Sequence, residues 1–346
     1  MLFRQLFDSV SCTYTYLLAR EPGAEALLID PVIEKVDGYL QLLDELDLKL
    51  VKAVDTHVHA DHVSGLGALR DRTGCITVMG RASQVDLVSM RVDEGDTIDI
   101  DGVRLDVLHT PGHTDDSYSF AMPDRVFTGD TLLIRGSGRT DFQNGDPWAA
   151  YDSLFNKLLN LPGETLVYPG HDYNGNTVST IAEERAHNPR LQVDSADAYA
   201  AIMNGLDLSN PRLMDIAVPA NLAIGFTQDE SRLKEATLAA ADAAQRFPDP
   251  GWLVVDLRED QERGRDGIIP GSVHVPYPRL EQELKPGELL AEMAAQTGKT
   301  LMLFCAYGER SALGLRVAWK AGFDNAEHIG GGMKAWREAG GAVREG

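Results

Sequence analysis

The sequence predicts two α/β domains in series, on three observations. Its 346 residues exceed what one hydrophobic core usually organises and suit two. Short β-rich runs separated by turns and a few helices fill the first half. Past an Ala-rich stretch that opens near residue 229, strands alternate with helices, the pattern of a small parallel-sheet α/β domain. The expected domains are 1–228 and 249–346, with 229–248 as a helical linker.

In chain order, 13–18 and 26–29 read as a hairpin around the turn residues Glu21-Pro22-Gly23. A helix is predicted over 34–46, where Val36, Tyr39, Leu40, Leu43 and Leu46 form an apolar stripe. Residues 50–54 are a buried strand that ends where a group of histidines begins. Further strands are expected at 103–108, 117–121, 126–127 and 166–168. Each polar cluster follows the end of such a strand, where loops on a rigid scaffold usually carry function. In the second part, 231–245 reads as a charged, Ala-rich helix that Phe247-Pro248-Asp249-Pro250-Gly251 breaks. Strands at 253–256, 272–275 and 300–304 and a helix at 311–321 follow.

Composition narrows the function classes. Hydrophobic residues make up 43% and charged residues 25%, as in an ordinary globular protein. No apolar run is long enough to span a membrane, and Asp8 interrupts the stretch a signal peptide would continue. The expected location is cytoplasmic, with no membrane partner. A net charge of −21 makes nucleic acid a poor partner, and an anionic ligand would need local cations. Three cysteines, Cys12, Cys75 and Cys305, argue against a disulfide framework and fit a reducing compartment.

The densest chemistry lies in Thr56-His57-Val58-His59-Ala60-Asp61-His62, directly after a predicted strand. Five of the nine histidines fall here or in Thr110-Pro111-Gly112-His113-Thr114 and Tyr168-Pro169-Gly170-His171-Asp172, and Phe127-Thr128-Gly129-Asp130 adds a carboxylate. One such histidine alone would ordinarily be a hydrogen-bonded structural residue. Five of them, with small residues at their sides to admit the backbone, point to metal binding.

This pattern resembles the metallo-β-lactamase superfamily over about residues 1 to 225. The resemblance implies an αββα sandwich, two sheets face to face with helices outside and metal loops at one edge. The superfamily's seven ligand positions are filled by His57, His59, Asp61, His62, His113, Asp130 and His171. Binuclear hydrolases use all seven, so the ligand list alone leaves the reaction open.

The stretch Thr131 onward, with Arg135-Gly136-Ser137-Gly138-Arg139-Thr140-Asp141-Phe142-Gln143, is similar to persulfide dioxygenases. So are His187-Asn188-Pro189-Arg190-Leu191 and Met214-Asp215-Ile216-Ala217-Val218-Pro219-Ala220-Asn221. Ser137 departs from the family, which often has Cys there. The resemblance implies one Fe(II) per chain on His57, His113 and Asp130, with His59, Asp61, His62 and His171 as vacant second-site positions. Two histidines and one carboxylate make the facial triad of non-haem iron oxygenases and leave room for a substrate and O2. Zinc, lacking redox chemistry, would not serve. The implied reaction oxidises glutathione persulfide with O2 to sulfite and glutathione. Arg135 and Arg139, and more weakly Tyr173 and Arg212, are candidate anchors for the glutathione carboxylates. A structural loop salt bridge is the plainer reading of both Arg135 and Arg139.

Residues from about 249 resemble a rhodanese domain, through Val254-Val255-Asp256-Leu257-Arg258-Glu259, Ile269-Pro270-Gly271-Ser272-Val273-His274-Val275-Pro276 and Gly330-Gly331-Gly332-Met333-Lys334-Ala335-Trp336. Its catalytic piece would be Cys305-Ala306-Tyr307-Gly308-Glu309-Arg310-Ser311, between a strand and a helix. Backbone N–H groups curled round a thiol and a helix dipole lower its pKa, and Arg310 could add positive charge. The implied activity is sulfane-sulfur transfer between thiosulfate and glutathione through a Cys305 persulfide. Ala306, where many active loops carry a basic residue, and the acidic Glu309 weaken the case for thiosulfate more than that for transfer. Cys12, Cys75, His109, His187, His274 and His328 lack ligand spacing and read as structural.

The competing function is a binuclear-metal glutathione thioester hydrolase of the glyoxalase II type, its C-terminal part a sulfur-sensing or docking module. The expected assembly, if any, is a homodimer.

Overall fold

A computed structural model of the chain describes residues 1–225 and 231–345. Two compact units emerge: Met1–Asp86 with Arg91–Ile224, and Gly225–Gly346 with the short segment Leu87–Met90.

The first unit is built on two six-stranded sheets. One runs in order β1 (Leu2–Asp8), β2 (Thr13–Ala19), β3 (Glu25–Ile29), β4 (Lys49–Val54), β5 (Ile76–Gly80) and β6 (Met90–Val92). The predicted hairpin is β2–β3, paired antiparallel from Tyr16↔Ile29 to Ala19↔Ala26. The second sheet takes β7 (Thr97–Ile100), β8 (Val103–His109), β9 (Tyr118–Ala121), β10 (Arg125–Gly129), β13 (Leu166–Pro169) and β14 (Ser179–Thr180), in the order β14-β13-β10-β9-β8-β7. A small hairpin, β11 (Leu132–Leu133) with β12 (Gly136–Ser137), stands apart from both. Both sheets turn apolar faces inward: Tyr16 of β2 meets Phe127 of β10 with ring centroids 4.9 Å apart. The helix expected over 34–46 is a 3-10 turn at Ile33–Lys35 followed by Val36–Glu45, which buries Val36, Tyr39 and Leu43. On the outer side of the second sheet, Leu154 and Leu158 and helix Ala196–Asn204, through Tyr199 and Met203, cover Val126 and Val167.

The second unit holds a five-stranded parallel sheet in the order β15 (Thr237–Ala239), β19 (Glu327–Gly330), β18 (Thr300–Phe304), β16 (Trp252–Asp256), β17 (Val273–His274). Alternate residues serve opposite faces, as a period of two requires. Leu253, Val255, Leu301 and Leu303 pack on one side, and Trp252, Val254, Met302 and Phe304 on the other with Met333 and Trp336. Both faces are covered, which is where parallel sheets are found.

The expectation of one linker helix over 229–248 needs correction. Residues 226–230 lie outside the described residues, and the remainder is helix Ser231–Glu235, strand β15, then helix Ala240–Arg246. The reason is tertiary: β15 finds an edge of β19 to pair with, from Thr237↔His328 to Ala239↔Gly330. Pairing overrides the helical propensity of an Ala-rich stretch. Among the described residues, no helix is long and apolar enough to cross a membrane.

Candidate metal centre and cysteine loop

Four strand ends deliver the metal-competent residues of the first unit. His57, His59, Asp61 and His62 follow β4; His113 lies in the turn after β8; Asp130 follows β10; His171 follows β13. Glycines let these loops meet. Gly129 sits at φ +50°, where a Cβ would come within 2.6 Å of Thr56 Oγ1. At Gly138 a Cβ would lie 2.1 Å from the Asp130 carbonyl oxygen and 2.8 Å from the His113 ring.

One atom each from His57, His113 and Asp130 fall within 4.8 Å of one another. Hydrogen bonds assign the tautomers. Thr56 Oγ1 donates to Asp30 Oδ2 at 3.0 Å, so its 2.9 Å contact with His57 Nδ1 has the imidazole N–H as donor. His113 Nδ1 lies 2.7 Å from the Arg139 carbonyl, which can only accept. Both rings are therefore protonated at Nδ1 and present a bare Nε2, and His113 Nε2 stands 3.6 Å from Asp130 Oδ2. Bonds of this kind orient histidine ligands in metal sites. Burial, with His59 and His113 adding to it, holds His57 well below the usual imidazole range. Burial alone would raise the Asp130 carboxyl, but His171, His113 and His57 outweigh it and keep it well below the usual carboxylate range.

The other four residues divide. His59, Asp61 and His62 form a second group within the same 4.8 Å limit. Both ring nitrogens of His59 and Nε2 of His62 are buried with no hydrogen bond among the described residues, and His59 Nε2 lies 3.3 Å from Asp30 Oδ1. His171 differs, with Nδ1 2.7 Å from Asp130 Oδ1 and Nε2 2.9 Å from Asp61 Oδ2. Burial opposes its charge, but these two carboxylates raise its pKa well above the usual range. Thr13 Oγ1, which sequence reasoning passed over, joins this network at 3.0 Å from His171 Nε2.

A cavity of about 320 Å³ opens beside Asp130 and His113. Arg135, Arg139 and Tyr173 line it, as expected of substrate anchors, but the two arginines are already engaged. Arg135 donates to the buried carboxylate of Glu184, and Arg139 forms a two-bond pair with Asp141 at 2.6 Å each and donates to Ser209 O at 2.6 Å. Both are held in ion pairs, so neither offers an unpaired guanidinium to the cavity. Arg212 is exposed and does not line the cavity. Tyr173 stacks on His171, centroids 6.1 Å apart. The arginine that sequence reasoning missed is Arg190, in the quoted Asn188-Pro189-Arg190 run. It lines the cavity and donates to the Ser137 carbonyl, and it has no carboxylate partner among the described residues. Burial lowers its pKa from the ordinary arginine value.

In the second unit, Cys305 follows β18 and is fully buried. Helix Glu309–Lys320 begins four residues on, with Gly308 at φ +96° as its N-cap. Of the surrounding backbone amides, Gly308 N–H donates to Sγ at 3.1 Å. Helix Gly332–Glu338 clamps the loop from behind: Met333 N–H donates to Cys305 O at 2.7 Å, and a Cβ on Gly332 would lie 2.4 Å from that oxygen. Arg310, expected as a cation beside the thiol, is buried and gives both Nη atoms to Glu262, at 2.7 and 2.5 Å. Its charge is balanced where it stands. His328 is buried in hydrogen bonds to Ser311 and Thr237.

These two architectures define a metallo-β-lactamase-type domain followed by a rhodanese-like domain. The family model of the metallo-beta-lactamase superfamily matches residues 12–171, and that of the rhodanese-like domain matches 239–339. The mouse protein persulfide dioxygenase ETHE1, mitochondrial, is 48% identical over 230 residues, covering 65% of this chain and 89% of its own length. The crystal structure of ETHE1 from Myxococcus xanthus is 54% identical, covers 65% of this chain and all of that one, and superposes with a TM-score of 0.64. A metallo-beta-lactamase from Staphylococcus aureus, 20% identical with a TM-score of 0.60, covers 96% of this chain and shares the fold. The chain belongs to the persulfide dioxygenase family and carries a C-terminal rhodanese domain.

Proposed function

We propose that the first domain is an iron(II) dioxygenase, one metal per chain on His57, His113 and Asp130, that converts glutathione persulfide, O2 and water to glutathione and sulfite. The observation that carries this reading is the pair of Nδ1 hydrogen bonds, through Thr56 and the Arg139 carbonyl, that turn two bare Nε2 atoms toward one carboxylate. Two imidazoles and one carboxylate suit a non-haem iron. Iron(II) held there would supply redox chemistry and open coordination positions that zinc does not offer together. The chain's own part is to place the substrate. Arg190, which has no carboxylate partner among the described residues, would pair with a glutathione carboxylate, and Tyr173 lines the same cavity. Holding the reacting groups in contact replaces an improbable multimolecular encounter.

The second domain, in this reading, passes sulfane sulfur through Cys305. Its thiolate attacks the outer sulfur of thiosulfate, the S–S bond breaks, and sulfite leaves with the electron pair. Glutathione then takes the outer sulfur and returns Cys305 to the thiolate as glutathione persulfide forms. That product is the first domain's substrate, so a single chain raises its local concentration. A reducing compartment, the cytoplasm in our reading, would keep the three cysteines as free thiols.

Metal analysis of the purified chain followed by oxygen uptake with glutathione persulfide tests the proposal. About one iron per chain with uptake is expected. Two zinc ions per chain and no uptake would overturn it in favour of a thioester hydrolase, which the second group His59, Asp61 and His62 would then serve.

A further inference from the structure

His328 on β19 is fully buried and takes no part in the sulfur-transfer steps above. Its ring lies in a line of polar atoms that ends on the nucleophile. Thr237 Oγ1 is 2.9 Å from Nε2, Ser311 Oγ is 2.9 Å from Nδ1, and Cys305 Sγ is 3.6 Å from Ser311 Oγ.

The protons along that line follow by elimination. Thr237 has one hydroxyl proton and donates it to Leu233 O at 2.6 Å. It must accept from His328, so Nε2 carries the imidazole proton. Burial keeps the ring neutral, its pKa pushed down to about 4. Nδ1 is then a bare acceptor, and the Ser311 hydroxyl is its donor. Ser311 Oγ also lies 3.1 Å from Gly308 O, a longer contact than the one to Nδ1.

We propose that His328 is a positioning residue for the Cys305 thiol: by taking the Ser311 proton at Nδ1, it turns a Ser311 lone pair toward Sγ and favours the thiol over the thiolate in the resting site. The inference rests on Cys305 being the sulfur-transfer nucleophile. As a thiol, Cys305 donates its proton to Ser311 Oγ. As a thiolate it can only accept, and Gly308 N–H meets it at 3.1 Å. Ser311 can serve the thiolate only by leaving His328 Nδ1 unpaired in the interior, which is unfavourable. One hydroxyl proton therefore has two principal competing acceptors, Nδ1 and the thiolate, beside the more distant Gly308 carbonyl, which already accepts the Ala312 N–H at 3.0 Å. The charged groups on the surrounding elements are Asp256 at the end of β16, Arg258 just after it, Glu259, Glu262, and Glu309 and Arg310 at the helix start. All of them stay in place in the variants below.

Thiolate absorbance of the full chain against pH, taken as the difference from Cys305→Ser, gives the Cys305 midpoint whether or not sulfur is transferred. His328→Leu releases the Ser311 proton, and the midpoint is expected to fall by about one pH unit. In a Ser311→Ala background the same substitution is expected to do nothing, and His328→Asn, which keeps an acceptor oxygen, to restore the original midpoint. A midpoint that stays or rises in His328→Leu, or falls equally without Ser311, overturns the proposal; added apolar burial alone would raise it. If the leucine variant does not fold, nitrogen NMR of the wild-type histidines decides: a bare Nδ1 and protonated Nε2 are expected at His328, and the reverse tautomer overturns the assignment. Failure of the sulfur-transfer reading is a separate result, namely no thiosulfate turnover with glutathione in a chain whose midpoints still shift as expected.

Discussion

The atoms that would meet a metal are set by residues one bond further out. Asp30, held at φ +51°, accepts from Thr56 N–H at 2.7 Å and from Thr56 Oγ1, and through that hydroxyl it fixes the His57 tautomer. Thr56→Val removes the acceptor and is expected to weaken metal affinity roughly 10- to 100-fold, measured by competition with a chelator. Unchanged affinity would show that the His57 ring is oriented by something else. For Arg190→Ala, the KM for glutathione persulfide in oxygen-uptake assays is expected to rise about tenfold, the loss of one charge-assisted hydrogen-bonded contact. An unaltered KM would remove Arg190 from the substrate site. Of these residues, the histidine run was legible in the sequence because its metal-competent residues are neighbours. The pairing of Arg139 was legible too, since Asp141 stands two positions on. The partner of Arg135, Glu184, is 49 residues away and no local pattern points to it.

Ion pairs inside the second domain tie its elements together. Glu262 closes a capping box with Glu259 on helix Asp260–Asp266 and receives both Arg310 nitrogens from the helix behind Cys305. Burial alone would raise its carboxyl, but Arg310 outweighs that and holds it below its ordinary 4.5. A folded value below the unfolded one stabilises the fold at pH above 4.5, and that contribution is lost as pH falls through the folded value. Glu262→Ala leaves a buried guanidinium unpaired and is expected to cost on the order of 3 kcal/mol at neutral pH. The difference from wild type should shrink on acidification; a constant difference between pH 7 and pH 3 in denaturant unfolding would refute the linkage. At this scale the sequence was readable wherever period and length agreed, as in β18, whose bounds are the predicted 300–304. It was unreadable in β15, three residues long inside an Ala-rich helical stretch, because only the free edge of β19 makes a strand of them.

Across the whole chain, the two proposed chemistries use different groups and should separate. Removing metal with a chelator is expected to abolish oxygen uptake with glutathione persulfide and to leave sulfur transfer from thiosulfate to glutathione in place, followed as sulfite release. Loss of both would mean that Cys305 chemistry depends on the metal domain. The net charge of −21 opposes the approach of anionic substrates, so added salt is expected to lower their KM by screening.

What the sequence by itself determined is the run of metal-competent residues, the cysteine loop and the order of the two domains. Each is written in a local run such as His57-Val58-His59-Ala60-Asp61-His62 or Cys305 to Ser311, and a local run keeps its meaning wherever the fold carries it. Only the tertiary structure decided that, among the described residues, Arg139 has a carboxylate partner and Arg190 has none, that Arg310 is paired with Glu262, and that Ser311 lies within hydrogen-bond reach of His328. Charge and proton positions depend on which groups are close in space, and Arg310–Glu262 and Ser311–His328 are 48 and 17 residues apart along the chain.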